Sequence, residues 1–589
     1  MPAQYLRIAG ADAATSTAVR RSLAELRRQM QIPDDFAPDV VADATRAAAR
    51  DLLADSDRAD LRALPFCTID PPGSMDLDQA MVIERSGDGF VVHYAIADVA
   101  SFVTPGGPVD AESHARGTTL YGPDGRTPLH PAVLSEGAAS LLPDADRPAV
   151  VWRIVLDARG EIVDGTADAP GVTVRRGVVR SVARLSYEEA QAALDGGAAP
   201  SGGAPASSGP DGAAWPAGVR ETVGLLREVG QLRQEREQER GGVSLDVPEQ
   251  VAVTHDDGTT TIELRSTLPV EGWNAQISLL TGIAAARLMR AGGVGILRTL
   301  PPADPRDVAR LRRTARALGI DWPADESYGR LLRTLDSAQP HHAAFLTEAT
   351  TLFRGASYLA FGGSGLPAVD ALPASDGTVH AAIAAEYAHV TAPLRRLVDR
   401  YGTEACLATS AGTAVPAWVL DGLAGLPRLM SRAGQKAGSF ERACLDTLEA
   451  ALVVDQVGDV FDGVVVDVDD RPAKLAEHAK PAEATGAGAS TGATGSSGAP
   501  GNPGQRGQVV VARPALRAPV TGTALPLGDP VRVRLVEASI EARRVAFVLA
   551  DGDPAAADGD GGRADGDPVA ADGDGGRADG DSVVPGVRS

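Results

Sequence analysis

Apolar positions recur at helical spacing through the first sixty residues. STAVRRSLAELRRQM (16–30) and DVVADATRAAARDLL (39–53) both show the repeat, which predicts two helices. From about residue 62 the pattern becomes mixed. FCTI (66–69), FVVHYAIADV (90–99), AVVWRIVL (149–156) and VTVRRGVVRSVARL (172–185) are rich in β-branched and aromatic residues and are predicted strands. Helical spacing returns in ETVGLLREVGQLRQEREQER (221–240). Further helices are predicted at 274–291, 305–318, 341–355, 386–408 and 416–452. Strands gathered early and helices late imply one large α+β domain over about 60–450. After residue 455 the texture is β-rich again, in GDVFDGVVVDVD (458–469), GQVVVA (507–512), DPVRVRLVEA (529–538) and EARRVAFVLA (541–550). Several short strands in so little chain predict a small barrel of the OB type. An edge sheet attached to the main domain is the alternative.

Two stretches break these patterns. Residues 195–216 and 476–506 are rich in Gly, Ala, Ser and Pro and too poor in apolar surface to fold alone. The resulting scheme is a helical region at 1–57, a catalytic-sized domain at 58–452, a β domain at 453–550 and an acidic tail at 551–589. The tail holds a near-perfect tandem repeat, ADGDGGRADGDPVA then ADGDGGRADGDSVV (557–584). Two Asp-Gly copies without a regular apolar position give no stackable calcium roll, so disorder is expected. The formal net charge is −22, of which the tail contributes −7 through ten Asp and three Arg. An acidic body still permits a local basic groove, so charge alone neither supports nor excludes a nucleic-acid partner.

Cys67, Cys406 and Cys444 are far apart and match neither a disulfide framework nor a zinc spacing. No run approaches the roughly 18 apolar residues that span a bilayer, and the N-terminus lacks a secretory pattern. A cytoplasmic protein without a membrane partner is expected, a monomer by default.

The chemistry concentrates in Thr68-Ile69-Asp70-Pro71-Pro72-Gly73-Ser74-Met75-Asp76-Leu77-Asp78-Gln79-Ala80. A strand ending at Asp70 must turn at Pro-Pro-Gly-Ser. Asp76 and Asp78, two apart, share a face if extended, and a tight loop brings Asp70 toward them. Three gathered carboxylates repel unless a cation compensates, and hard oxygen ligands suit Mg2+ or Mn2+. Metal-assisted phosphodiester hydrolysis uses such a set. By itself Asp-Leu-Asp is more often a solvated turn. His93, His114 and His389 show no ligand-like spacing.

The surroundings change that weighting. RADLRALPFCTIDPPGSMDLDQA (58–80), VHYAIADVASFV (92–103), ARGTTLYGPDGRTPLHPAVLSEGAASLLP (115–143), VVRSVARLSYEEA (178–190), RGGVSLDVPE (240–249) and YAHVTAPLRRLVDRY (387–401) together resemble the ribonuclease II/R (RNB) family of exoribonucleases, in order and spacing, over about 58–450. The resemblance implies an RNB-type catalytic domain followed by an OB-like module. It implies hydrolytic 3′→5′ degradation of single-stranded RNA to nucleoside 5′-monophosphates, with Mg2+ or Mn2+ as cofactor. Asp70, Asp76 and Asp78 fall on three of the family's four metal-site acids, with Asp78 next to the attacking water. Arg395 falls on the arginine that steadies the scissile phosphate, Arg396 beside it on the RNA path, and Tyr121 on the aromatic that clamps the terminal base. Glu441, in SFERACLD, takes the place of a family acid near the active site. Outside the motif each has an ordinary alternative: Tyr121 a core aromatic, Arg395 and Arg396 a solvated helix face, Glu441 a helix-surface partner of Arg442 or Lys436.

Two features depart from the family. Gln79 occupies the fourth acid's position; its carbonyl can coordinate Mg2+ but carries no charge and cannot act as a base. Only about 60 helical residues precede the domain where relatives carry cold-shock barrels, which leaves RNA capture to the channel and the C-terminal barrel, with Arg20, Arg21, Arg27 and Arg28 as a further basic surface. The rivals are a silent RNA-binding relative and a hydrolase of short oligonucleotides.

Overall fold

A computed structural model describes residues 13–55, 57–166, 169–196, 215–245, 249–254, 260–265, 267–337, 339–373, 377–468, 504–512 and 515–550. Nearly all of the 195–216 and 476–506 insertions, and the whole acidic tail, lie outside the described residues. The centre is a sheet in which Phe66–Asp70, Gln79–Ser86, Gly89–Ala97 and Asp146–Leu156 pair in sequence order, antiparallel. The long strand Val172–Ser186 closes it. Its first half pairs with Asp146–Ile154 and its second half runs parallel to Phe66–Asp70. Side chains alternate across a strand, and both faces here are apolar. Met81 and Ile83 join Tyr94 and Trp152 in the main core, whereas Ala80 and Val82 join Phe66 and Val151 on the opposite face. Helices Ala217–Glu239 and Pro269–Gly292 cover the main core through Val223, Leu226, Ile277 and Ala284.

The early strands and most helices fall where periodicity predicts them. The segment 386–408 does not. Its helix begins only at Leu397, because Pro393 lacks an amide hydrogen and disfavours helical backbone in the residue before it. What precedes is an irregular stretch that carries Arg395 and Arg396. The strands Gln79–Ser86 and Ala515–Gly522 escaped the reading, as did the hairpin Leu120–Gly122/Gly125–Thr127. The C-terminal region is a closed five-stranded barrel, ordered Val460–Val468, Gln505–Ala512, Ala515–Gly522, Arg544–Leu549, Pro530–Ser539. Closure settles the choice between barrel and edge sheet.

The N-terminal helix Ala13–Gln29 is docked. Val19, Leu23 and Leu26 share one apolar cluster with Phe440 and Cys444 of helix Leu426–Val453 and with barrel residues including Val533 and Phe547. Leu23 is 0% exposed. We therefore expect Leu23→Ala to cost about 2–5 kcal/mol in urea unfolding, against roughly 0.5 kcal/mol or less for the exposed Arg21→Ala. Equal effects would show that the helix is not packed as described.

Candidate active site

The acids are set by a turn and two staples. Pro71-Pro72-Gly73-Ser74 closes with the Ser74 amide donating to the Pro71 carbonyl at 3.2 Å. Gly73 sits at φ +79°, the third position of a type II turn, which a Cβ would strain. Ser140 then holds the returning chain: its hydroxyl donates to the Met75 carbonyl at 2.7 Å and accepts from the Leu77 amide at 3.0 Å. Asp70 thus ends one strand while Asp76 and Asp78 lead into the next.

Asp78 is 5% exposed. One of its carboxylate oxygens accepts from the Leu394 amide at 2.7 Å, and the other lies 3.7 Å from Nε of Arg395. Burial pushes the Asp78 carboxyl well above the usual carboxylate range, against the pull of Arg395 and the Leu394 amide. At Asp70, burial and the Asp76 charge push the carboxyl up to about 7, opposed by Arg395 and Arg184. Asp76 pairs with Arg126, whose other amino group lies 2.7 Å from Glu136. Burial works against the Arg126 cation, yet Asp76 and Glu136 outweigh it and hold its pKa above the ordinary value.

The segment before helix Leu397–Ala411 is the second half of the site. Asp399, fully buried, accepts from the Ala392 amide at 2.7 Å and takes the guanidinium fork of Arg396 on both oxygens, each at 2.8 Å. Arg396 is therefore an internal clamp, and its fork is committed within the segment. Arg395 points the other way, with its side chain 32% exposed beside Asp78. Its carbonyl accepts from the Thr118 hydroxyl at 2.9 Å and the Thr119 amide at 3.0 Å, which ties the arginine to the hairpin carrying Tyr121. Tyr121 stands opposite Arg126 in that hairpin. Gly122 lies so close to Phe440 that an added Cβ would meet the ring at 3.1 Å.

The structure thus brings Asp70, Asp76, Asp78 and Arg395 together and ties the Tyr121 hairpin to them by backbone. Glu441 is exposed on helix Leu426–Val453, adjacent to Phe440, and among the described residues no contact joins it to the acids. The Gln79 amide nitrogen donates to the Thr391 carbonyl at 2.7 Å, and its oxygen already accepts from the Tyr94 and Ser278 hydroxyls. Of the basic N-terminal helix, Arg27 is turned inward onto Asp124, at 2.7 and 2.9 Å. Sequence reasoning missed Arg126, Glu136 and Asp399. The Pro-Asp-Gly turn between Tyr121 and Arg126 was the available signal for the first; nothing local marks the others.

Among the described residues, no three His, Cys, Asp or Glu side chains gather closely enough to cage an ion. The donor chemistry nevertheless fits a hard dication. Mg2+ typically uses one or two carboxylates and completes its shell with phosphate and water. Asp78 is buried and Asp70 half-buried, both with raised proton affinity, and among the described residues the Asp70 carboxylate accepts no hydrogen bond, so an added cation would offset their cost of ionising.

Ribonuclease R of Escherichia coli is 26% identical over 433 residues, covering 70% of this chain and 49% of that protein. The chain therefore spans about half the length of the curated relatives it matches first. A Mycoplasma genitalium RNase R structure in complex with ribose-methylated single-stranded RNA superposes with a TM-score of 0.71 at 18% identity, covering 90% of this chain and 78% of that one. Yeast Ssd1, described as a pseudonuclease, superposes with a TM-score of 0.50 at 14% identity, covering 70% of this chain and 47% of that one. At these identities the structural likenesses speak for the fold alone. Residues 498–550 match the RNase II-type exonuclease C-terminal S1 domain, and residues 58–403 match the RNB domain. The chain belongs to the RNB domain family.

Proposed function

We propose that this chain is a metal-dependent exoribonuclease that hydrolyses single-stranded RNA from its 3′ end and releases nucleoside 5′-monophosphates. The observation that carries this reading is the assembly of Asp70, Asp76 and Asp78 near a half-buried Arg395 whose backbone is clamped on both sides. Asp70 and Asp78 would hold Mg2+ or Mn2+, with Asp76 at the edge where Arg126 now balances it. The bound ion would supply neutralisation of phosphate charge and a lowered pKa for its water.

The remaining work falls to the chain's own residues. Asp78 orients the attacking water. Arg395 presents a planar, permanently charged fork to the phosphate oxygens and stabilises charge developing there. Tyr121 stacks on the terminal base, a contact indifferent to sequence because every base has a π-face. Water adds to phosphorus, the bond from phosphorus to the upstream 3′-oxygen breaks, and that oxygen takes a proton to leave an RNA one nucleotide shorter. The outer barrel strand Pro530–Ser539 exposes Arg532 and Arg534, a backbone-binding surface of the kind single strands use. A cytoplasmic setting suits three buried, unpaired cysteines, and among the described residues no helix is long and apolar enough to cross a membrane.

A second reading, silent RNA binding, is favoured by one observation: Gln79 stands where the family has an acid. A time course on 5′-labelled single-stranded RNA with Mg2+ or Mn2+ separates the two. The enzyme gives products that shorten stepwise from the 3′ end. Asp78→Asn should slow them by at least about 100-fold while RNA binding persists. Arg395→Lys, which keeps the charge and loses the fork, should lower kcat by roughly 100-fold. RNA left intact under both metals, with binding retained, would establish the silent protein instead.

Asp70 generates a pH test. Its folded pKa of about 7 lies above the unfolded value, near 4, so the folded state holds the extra proton between them. Stability in metal-free buffer should therefore fall as pH rises from about 4 to about 7 and level off above. Asp70→Asn removes that cost and should raise the metal-free Tm at pH 8 by roughly 1–4 °C, with a smaller gain at pH 5. Excess Mg2+ should then stabilise the parent protein more than the variant. Identical responses to Mg2+ would remove Asp70 from the metal site.

A further inference from the structure

Gln79 is the residue where this chain leaves the family pattern, and its surroundings give it a specific task. It opens strand Gln79–Ser86, directly after Asp78. Its amide reaches three other parts of the fold. The nitrogen donates to the carbonyl of Thr391, a residue 3% exposed, at 2.7 Å. The oxygen accepts from the hydroxyl of Tyr94, fully buried on the neighbouring strand, and from Ser278 of helix Pro269–Gly292 at 3.4 Å. Ser278 also lies 2.9 Å from the Tyr94 hydroxyl, and its single hydroxyl proton serves either that contact or the amide oxygen. The Thr391 carbonyl fixes which end of the amide is which, since only the nitrogen can donate to it.

Thr391 begins the turn that ends at Arg395. Its neighbour Ala392 is held by Asp399, and Leu394 by Asp78. The Gln79 bond is thus a further attachment of the arginine segment, and it comes from the residue adjacent to Asp78. A carboxylate at this position could keep both hydroxyl partners but could not donate to Thr391. Two acceptors would then face each other in a buried place, which costs more than the loss of one bond.

We propose that Gln79 is a positioning residue: in this chain the family's fourth acid has been exchanged for an amide that fastens the Thr391–Arg395 segment to the acid strand and so sets Arg395 relative to Asp78. The proposal rests on the exoribonuclease reading for its effect on turnover, but its geometric core does not. An amide committed in this way, through its nitrogen to Thr391 and through its oxygen to Tyr94, braces the segment and does not serve as a ligand to the ion.

The test compares the full chain with Gln79→Glu, which keeps length and acceptors, and Gln79→Met, which keeps length alone. Gln79→Glu also guards against a failure of Gln79→Met to fold. Three quantities are read: amide hydrogen exchange without metal, Mn2+ affinity by electron paramagnetic resonance without RNA, and kcat and KM on single-stranded RNA. Positioning predicts that the Ala392 and Leu394 amides exchange about 10-fold faster or more in both variants, with the sheet core unchanged. It predicts Mn2+ affinity within about threefold for Gln79→Met, and a fall in kcat on the order of 10- to 100-fold with little change in KM, not restored by added metal. A loss of Mn2+ affinity of about 10-fold or more in Gln79→Met with unchanged exchange would overturn the proposal and make Gln79 a ligand. Unchanged exchange with full or raised kcat in Gln79→Glu would overturn it too, leaving only a missing charge. Faster exchange in both variants, with a parent protein that cleaves no RNA, would uphold the positioning role and reject the exoribonuclease reading.

Discussion

The hydrogen bond from the Leu394 amide to the Asp78 carboxylate joins two parts of the chain 316 residues apart, and the site exists because of it. Burying a carboxylate is costly unless its lone pairs are met. Here one oxygen is satisfied by backbone, and the other is left facing Arg395 and the space between the acids. A side chain that served only the fold would be paired on both oxygens, as Asp399 is by Ala392 and Arg396. The contrast divides the labour. Asp399 fixes the shape of the segment, and Asp78 fixes its position while leaving its second oxygen turned to Arg395.

That arrangement explains how an acidic protein can offer a site to an anionic polymer. Around the centre, three carboxylates face two guanidiniums, Arg126 and Arg395. Elsewhere in the domain, buried acids are paired internally. Asp98 takes Arg58 at 2.9 Å and Arg176 at 3.1 Å, and Asp110 takes Arg400. Buried pairs of this kind contribute little net stability but fix orientation. Net charge is set by the exposed surface and the tail. What an approaching polyanion meets is the local field, in which Arg126 and Arg395 offset the acids beside them.

Much of this was legible in the sequence, for identifiable reasons. Asp70, Asp76 and Asp78 lie within nine residues, so a turn signal and a two-residue spacing suffice to gather them, and the motif around Arg395 pointed to the arginine that lies beside Asp78. The β-rich texture after residue 455 was enough for a barrel. What failed did so where long-range contacts decide. The helix at 386–408 was overextended because local periodicity outweighed Pro393. Arg395 and Arg396, indistinguishable as a pair in sequence, point to opposite duties only because Asp399 captures one of them. Glu441 follows the family motif, yet its helix presents it to solvent beside Phe440, away from the acids. The inward turn of Arg27 could not be read either, because its partner Asp124 lies 97 residues away.

Fold alone does not decide activity where one architecture serves both a ribonuclease R and a protein described as a pseudonuclease, so the consequence of an amide rather than an acid at position 79 has to be argued from its surroundings. Removing one acid lowers the negative charge of the site, which by itself weakens attraction for a dication. It also removes one of four mutually repelling groups, so the remaining acids ionise more easily. The two effects oppose each other, and their balance depends on burial. Asp70 is already held at about 7 by burial and by a single neighbouring charge. A fourth carboxylate beside Asp78 would push it and Asp78 higher still unless metal were always bound. An amide that braces the arginine segment is thus a coherent alternative to a fourth ligand: it exchanges electrostatic attraction for geometric constraint, at a point where Arg395 has to be placed before any substrate arrives.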